Sequence, residues 1–324
     1  MAFQRLPESV QTLYAELLDQ VIQAEAEAAA LEAPQGSFVS KSIKGKTYWY
    51  LQRMEGGRKR QQYLGRESPS LLAWIESARE ARERLAADAG QRARLCSMLL
   101  AGGAVAESAT AVRVLSLIAQ AGVFRMGGVL VGTQAFSAYG NMLGVRFEQQ
   151  ALRTQDIDIG IDVSVETEPL NGSMSTSFKI RGRDLRVDFL TPLLGRDSEE
   201  PVFLPALGVA AHPLRFLDYL IESPAQAAIV GLDGILVNVP DPARFAFHKL
   251  LISQRRPVSE QTKAAKDLRQ AAALIEVLLQ DRPGDLPIAW EALHHSPAAV
   301  KAVRAAIDRL PAELKGRLEG ATPA

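Results

Sequence analysis

Apolar residues recur along this chain with two different periods, and the switches between them mark its parts. Over residues 8–33, Val10, Leu13, Leu17, Val21 and Ile22 return at helical spacing, which predicts an amphipathic helix ended by Pro34 and Gly36. Residues 37–65 are rich in β-branched and aromatic residues, with turn signals at Lys44-Gly45-Lys46 and Gly56-Gly57, and predict a three-stranded meander. Residues 68–97 become helical again, opening at Ser68-Pro69 and then dense in Ala, Arg and Glu. This helix is expected to link the N-terminal module to the rest of the chain.

From about residue 110, helices and strands alternate. A helix over 109–121 meets Gly122, a short buried strand runs from Gly128 to Gly132, and a helix covers 133–143. Strands are expected at 156–163, 176–181, 184–190 and 235–239. Asp241-Pro242 reads as a helix cap and first-turn proline. Helices are then predicted at 242–255, 259–281, 288–295 and 297–319. There is no internal repeat, and the GATPA tail is expected to fray. The pattern is α+β, with a mixed sheet at its centre. Its 324 residues exceed what one compact core usually holds, so three parts are expected: 1–100, 101–240 and 241–324.

Composition narrows the functional classes. The chain is 47% hydrophobic and 23% charged, as an ordinary globular protein is. Lys plus Arg and Asp plus Glu balance at 37 each, so any nucleic-acid or membrane affinity must come from local charge. Cys96 is the only cysteine, which rules out an internal disulfide and suggests a packed small residue. His212, His248, His294 and His295 show no zinc-ligand spacing. No apolar run reaches the ~18 residues a bilayer span needs, and no secretory leader pattern opens the chain. A soluble cytoplasmic protein without a membrane partner is the expectation.

The candidate chemistry begins at Asp156-Ile157-Asp158. Residues two apart on a strand share a face, so both carboxylates leave the sheet together while Ile157 and Ile159 pack the other side. Like charges at that spacing repel unless a cation lies between them, and Mg²⁺ favours carboxylates together with substrate phosphates. Asp188, in the alternating run Arg186 to Leu190, is placed to reach the same ion from a neighbouring strand. Upstream, Val129 to Gly132 with Thr133 forms a strand–glycine–helix junction, where free helix N–H groups favour phosphate and Thr133 adds a hydroxyl. Alone, an Asp-x-Asp strand or a glycine turn is a common structural feature; the order of the three pieces is what points to a site.

The run VGTQAFSAYG…RTQDIDIGID…RVDFLTP resembles the minimal nucleotidyltransferase core of the polymerase-β superfamily. The wider span to PDPARFAFHKLLISQRR…KAAKDLRQAAALI is similar to a bacterial nucleotidyltransferase-fold family related to abortive-infection toxins of the AbiEii type. The resemblance covers about residues 110–280. It implies NTP as substrate and Mg²⁺ (or Mn²⁺) as cofactor, bound at Gly132, Thr133, Asp156, Asp158 and Asp188, with Arg153 before the acidic strand. It also implies that Lys249 and Asp267, on later helices, face the nucleotide. Three departures stand out: Gly132-Thr133 replaces the usual Gly-Gly or Gly-Ser, Arg153 lies one residue closer to Asp156, and the Gly-to-Asp gap is longer. The last two suggest a remodelled loop at 144–155.

Each residue has a plainer reading. Lys249, among Phe245, Phe247, Leu250 and Leu251, fits a lysine that snorkels to water. Lys263, Lys266 and Asp267 fit a solvated helix face with a weak ion pair. Residues 41–66 hold Lys41, Lys44, Lys46, Arg53, Arg58, Lys59, Arg60 and Arg66, interleaved with Tyr48, Trp49, Tyr50 and Tyr63. Cations with aromatic faces suit RNA or single strands, while the plainer alternative makes the aromatics the core of the small sheet. The reading reached from sequence is an Mg-dependent nucleotidyltransferase moving an NMP to an acceptor hydroxyl. An RNA (tRNA) 3′ end is the first choice, and the enzyme is toxin-like with a possible regulatory protein partner. The alternatives are a catalytically silent binder of nucleic acid or protein, and an enzyme modifying a protein or small-molecule hydroxyl.

Overall fold

Both periods are realised in the computed structural model, which describes residues 3–30, 36–55, 58–148, 156–162, 175–179, 185–193, 195, 200–205 and 207–322. The first elements are β1 (Phe3–Arg5), α1 (Glu8–Ala30), β2 (Ser37–Ile43), β3 (Lys46–Glu55), β4 (Arg58–Arg66), α2 (Pro69–Ala101) and α3 (Ala109–Gln120). The centre comprises β5 (Val129–Val131), α4 (Gly132–Met142), β6 (Val145–Phe147), β7 (Asp156–Gly160), β8 (Ser177–Lys179) and β9 (Arg186–Pro192). It continues through β10 (Val202–Leu204), β11 (Val209–Leu214), α5 (Leu217–Ile221), β12 (Ala225–Ile229) and β13 (Ile235–Val239). Helices α6 (Pro242–Arg255), α7 (Gln261–Asp281), α8 (Asp285–Leu293), α9 (Pro297–Ile307) and α10 (Ala312–Ala321) complete the chain.

The central sheet is mixed, in the order β10-β11-β9-β7-β5. Strand β7 runs antiparallel to β5 and parallel to β9, while β8 and β11 share the other edge of β9. Its apolar face carries Ile157, Ile159, Val187 and Phe189 into a core shared with α4 and α6. Two polar anchors fix α4, whose first turn borders the candidate site. Tyr139 donates its hydroxyl proton to the Pro240 carbonyl at 2.8 Å, and Asn141 bonds both backbone groups of Val105. No helix among the described residues is long and apolar enough to cross a membrane.

Several boundaries differ from the sequence expectation, each for a local reason. The helix expected over 297–319 is two, α9 and α10, because Pro311 supplies no N–H and its ring bars an uninterrupted turn. The strand expected over 156–163 ends at Gly160, which leaves Asp162 beyond it. Strands β1, β6, β10, β11 and β12 and helix α5 were not anticipated: most have three to six residues, too few to show a period, and β11 contains Pro213. The 31–33 end of the first helix and the Gly56-Gly57 turn lie outside the described residues.

Segments before residue 100 divide between two surroundings. Strand β1 pairs with β6, and Tyr14 of α1 accepts a hydrogen bond from the Ala228 N–H of β12, so both elements pack on the centre. The last turns of α2 do the same, with Cys96 and Leu99 buried against α1. The meander β2-β3-β4 instead rests on the first turns of α2. Its Lys44-Gly45 turn has φ of 50° and 73°, the two positive values a two-residue hairpin of matching twist requires.

The meander sorts its aromatic residues by face. Toward α2, Phe38 meets Trp74 edge to face at 5.5 Å, Arg79 lies over Trp49, and Leu51 is fully buried. Cross-strand pairing puts Lys41 opposite Tyr48, Tyr48 opposite Arg66, and Tyr50 opposite Tyr63, all on the other face. The aromatics therefore divide between two faces: Phe38, Trp49 and the buried Leu51 meet α2, and the three tyrosines lie on the opposite face.

Candidate active site

Strand β5 ends at Val131 and leads into Gly132, whose φ of +65° suits glycine. A Cβ there would also collide with the Asp158 carboxylate. Helix α4 starts at this residue with no side-chain cap, so its first N–H groups are left for a ligand. Beside it, Asp156 and Asp158 stand half-buried on one face of β7, with Ile157 and Ile159 buried on the other. Parallel register sets Asp158 against Asp188, and Asp156 against Arg186. Three carboxylates thus share one sheet face on two adjacent strands.

The electrostatics record their proximity. Burial first, then Asp188 and Asp156, push the Asp158 carboxyl up to about 6, while Lys249 and Lys266 pull it down. Among the described residues no three Asp, Glu, His or Cys side chains form a ready-made metal cage. A row of half-buried carboxylates facing open volume suits Mg²⁺, which is held by one or two carboxylates and completed by substrate phosphates and water.

The opposite wall is cationic and comes from α6 and α7. A cavity of about 350 Å³ lies between, bordered by Gly132, Thr133, Asp156 and Asp158 on one side and Lys249, Arg256, Lys263, Lys266 and Asp267 on the other. Lys249 is only 7% exposed and donates to Asp267 Oδ1 at 2.7 Å. Arg256 Nε donates to Asp267 Oδ2 at 3.1 Å. Lys266 Nζ reaches across the cavity to Thr133 Oγ at 2.9 Å, and burial together with Lys249 lowers its pKa. Burial and then Lys249 hold His248 down at about 3, so it is neutral on this wall.

Gly132, Thr133, Asp156, Asp158, Lys249 and Asp267 therefore border one cavity, and Asp188 stands next to Asp158. Arg153 lies outside the described residues. The plainer readings of the helices are corrected. Lys249 does not snorkel, and Asp267, 2% exposed, is no solvated carboxylate: both its oxygens bind cations. Only Lys263 fits the surface description, exposed and paired with Glu260. Sequence reasoning passed over Arg256 and read Lys266 only as part of a solvated helix face. A signal for Lys266 existed, since Lys263, Lys266 and Asp267 fall at i, i+3 and i+4 on one helix face.

A glycine-opened helix start, an acidic strand pair and a facing wall of lysine and arginine thus meet around one cavity in a mixed α and β fold. The chain belongs to a nucleotidyltransferase family: residues 109–177 and 161–294 match a family model described as nucleotidyltransferase, together spanning α3 to α8. Residues 11–73, from α1 through the meander into α2, match a domain of unknown function (DUF6788). No protein of curated function and no solved structure matches the chain.

Proposed function

We propose that this protein transfers a nucleoside monophosphate from an NTP to an acceptor hydroxyl, releasing pyrophosphate. The observation that supports it most is the arrangement of the cleft: Asp156 and Asp158 on one wall, with Asp188 beside Asp158 on the next strand, and Lys249, Arg256 and Lys266 on the other wall. The free N–H groups at Gly132 and Thr133 bind the β- and γ-phosphates, and the lysines and Arg256 balance their charge. Asp267 orients Lys249 and Arg256 toward that volume. Asp156, Asp158 and Asp188 would hold Mg²⁺ (or Mn²⁺), which supplies charge neutralisation at the phosphates and activates the acceptor oxygen. The acceptor oxygen forms a bond to the α-phosphorus as the bond to the β-phosphate bridging oxygen breaks. The acceptor proton leaves to a carboxylate or water. Positioning and neutralisation supply most of the rate.

An RNA 3′ end such as that of tRNA is the acceptor this reading favours, in keeping with the resemblance to abortive-infection toxins. The test is transfer of α-labelled NTP in Mg²⁺ to total cellular RNA or protein, with Asp156→Asn/Asp158→Asn as control. Label in RNA, absent with the variant, is expected. Label in protein would reassign the acceptor, and a protein that neither binds NTP–Mg²⁺ nor transfers would point to a silent binder. Growth arrest on expression, relieved by Asp158→Asn, would support the toxin-like reading and a restraining partner protein.

A further inference from the structure

The meander carries more aromatic surface than its own folding uses. Phe38, Trp49 and Leu51 already fill the face against α2. On the opposite face, the described ring contacts of Tyr48, Tyr50 and Tyr63 are with one another and with Lys41. Tyr63 is 56% exposed. The rings are tilted, by 44° between Tyr48 and Tyr63 and by 60° between Tyr50 and Tyr63, so neither neighbour seals the face of the other. Leaving Tyr63 exposed and Tyr48 and Tyr50 half-buried gives up burial that a small sheet would otherwise gain.

Charge surrounds the cluster on the same face. Strand alternation places Lys46 beside Tyr48, and Lys59 with Gln61 beside Tyr63, while Arg66 pairs directly with Tyr48. Lys41 Nζ lies 4.8 Å from the Tyr50 ring and donates to Gln61. Four cations thus frame one exposed and two half-buried rings, with amide side chains of Gln52 and Gln61 between them.

We propose that this face binds single-stranded RNA, with bases stacking on Tyr48, Tyr50 and Tyr63 and the backbone running along Lys41, Lys46, Lys59 and Arg66. Every base offers a π-face and every linkage a phosphate, so the combination grips a strand with little regard to sequence. Duplex bases are already stacked and cannot enter. The inference rests on the nucleotidyltransferase reading only in choosing RNA, the proposed acceptor, as the strand; the face would then hold substrate while the cleft acts on its end.

The test is anisotropy of a labelled single-stranded RNA of about 12 nucleotides, within the footprint range of small single-strand binders, titrated with the full chain. Tyr50→Ala and Tyr63→Ala should each weaken binding about tenfold, and Tyr63→Phe should not. Lys41→Gln and Lys59→Gln should each flatten the log–log salt dependence by about 0.7. No binding by the wild type, equal binding of duplex, or unchanged binding by both alanine variants would overturn the proposal. Asp156→Asn/Asp158→Asn must bind the RNA as the wild type does; if it fails, the cleft holds the strand and this face does not. Binding that survives while no NTP yields transfer refutes the enzymatic reading and leaves this one standing.

Discussion

The cleft and the tyrosine face both gather charge around a would-be ligand, yet they are built in opposite ways. In the cleft, Lys249 and Asp267, 18 residues apart, are buried against each other, and the half-buried Lys266 reaches Thr133 from 133 positions away. On the meander, partners lie within about two dozen residues and remain exposed, as with Lys41 to Gln61 or Trp49 to Glu67. Burial makes each cleft interaction strong and each loss expensive, because a stranded charge cannot return to water. Exposure makes the meander tolerant. A site for chemistry needs the first arrangement, while a surface that grips varied strands needs only the second.

Four changes test this contrast. The largest effect is expected from Asp156→Asn/Asp158→Asn, which should lower nucleotide transfer by about a thousandfold while leaving the fold intact by circular dichroism. A meander variant such as Tyr63→Ala should cost no more than its loss in RNA affinity. Next, Asp267→Ala strands the buried Lys249, while Arg256 keeps its Glu260 partner, and should cost about 3–5 kcal/mol in urea denaturation. The matched meander change, Glu67→Gln beside the Trp49 indole, should cost under about 1 kcal/mol. Equal costs would abolish the distinction.

Third, Asp158→Asn should stabilise the metal-free protein at neutral pH, by up to about 3 kcal/mol. The folded carboxyl titrates at about 6, above its unfolded value, so its charged form opposes folding once pH exceeds that value. Mg²⁺ with NTP should remove the advantage. The last test concerns His248, whose folded pKa of about 3 lies below the unfolded value. In the unfolded chain it takes up a proton first, so its contribution is complete above about 6.5 and is lost as pH falls toward 3. In the Asp158→Asn background, where the opposing carboxyl is gone, stability should fall by up to about 1.4 kcal/mol per pH unit over that window, and His248→Gln should flatten the slope. Circular dichroism melts at pH 7 and 4.5 measure it.

Long periodic segments and capped helices were legible before the structure. Pro242 opens α6 with Asp241 accepting from the Ala243 and Arg244 N–H groups, as the pair of residues implied. The Asp156–Asp158 face followed from alternation alone, because strand side chains reverse at every residue whatever the neighbours are. What alternation could not say was which strand lies beside β7. Parallel pairing with β9, in the register that matches Asp158 to Asp188, depends on non-local packing of both faces of the sheet.

Sequence by itself determined the helices with full periods, the meander, the acidic strand and the glycine that opens α4, since each is dictated by side-chain spacing or by backbone freedom within a few residues. Tertiary structure alone decided that Lys249 and Asp267 are buried partners rather than a snorkelling lysine and a surface acid. It alone brought Lys266 to Thr133, and it alone divided the meander aromatics between the face against α2 and the opposite one. The physical reason is common to all three. Burial is a property of what a helix or sheet face lands against, and the same pattern of charges and rings is solvated or enclosed according to that partner.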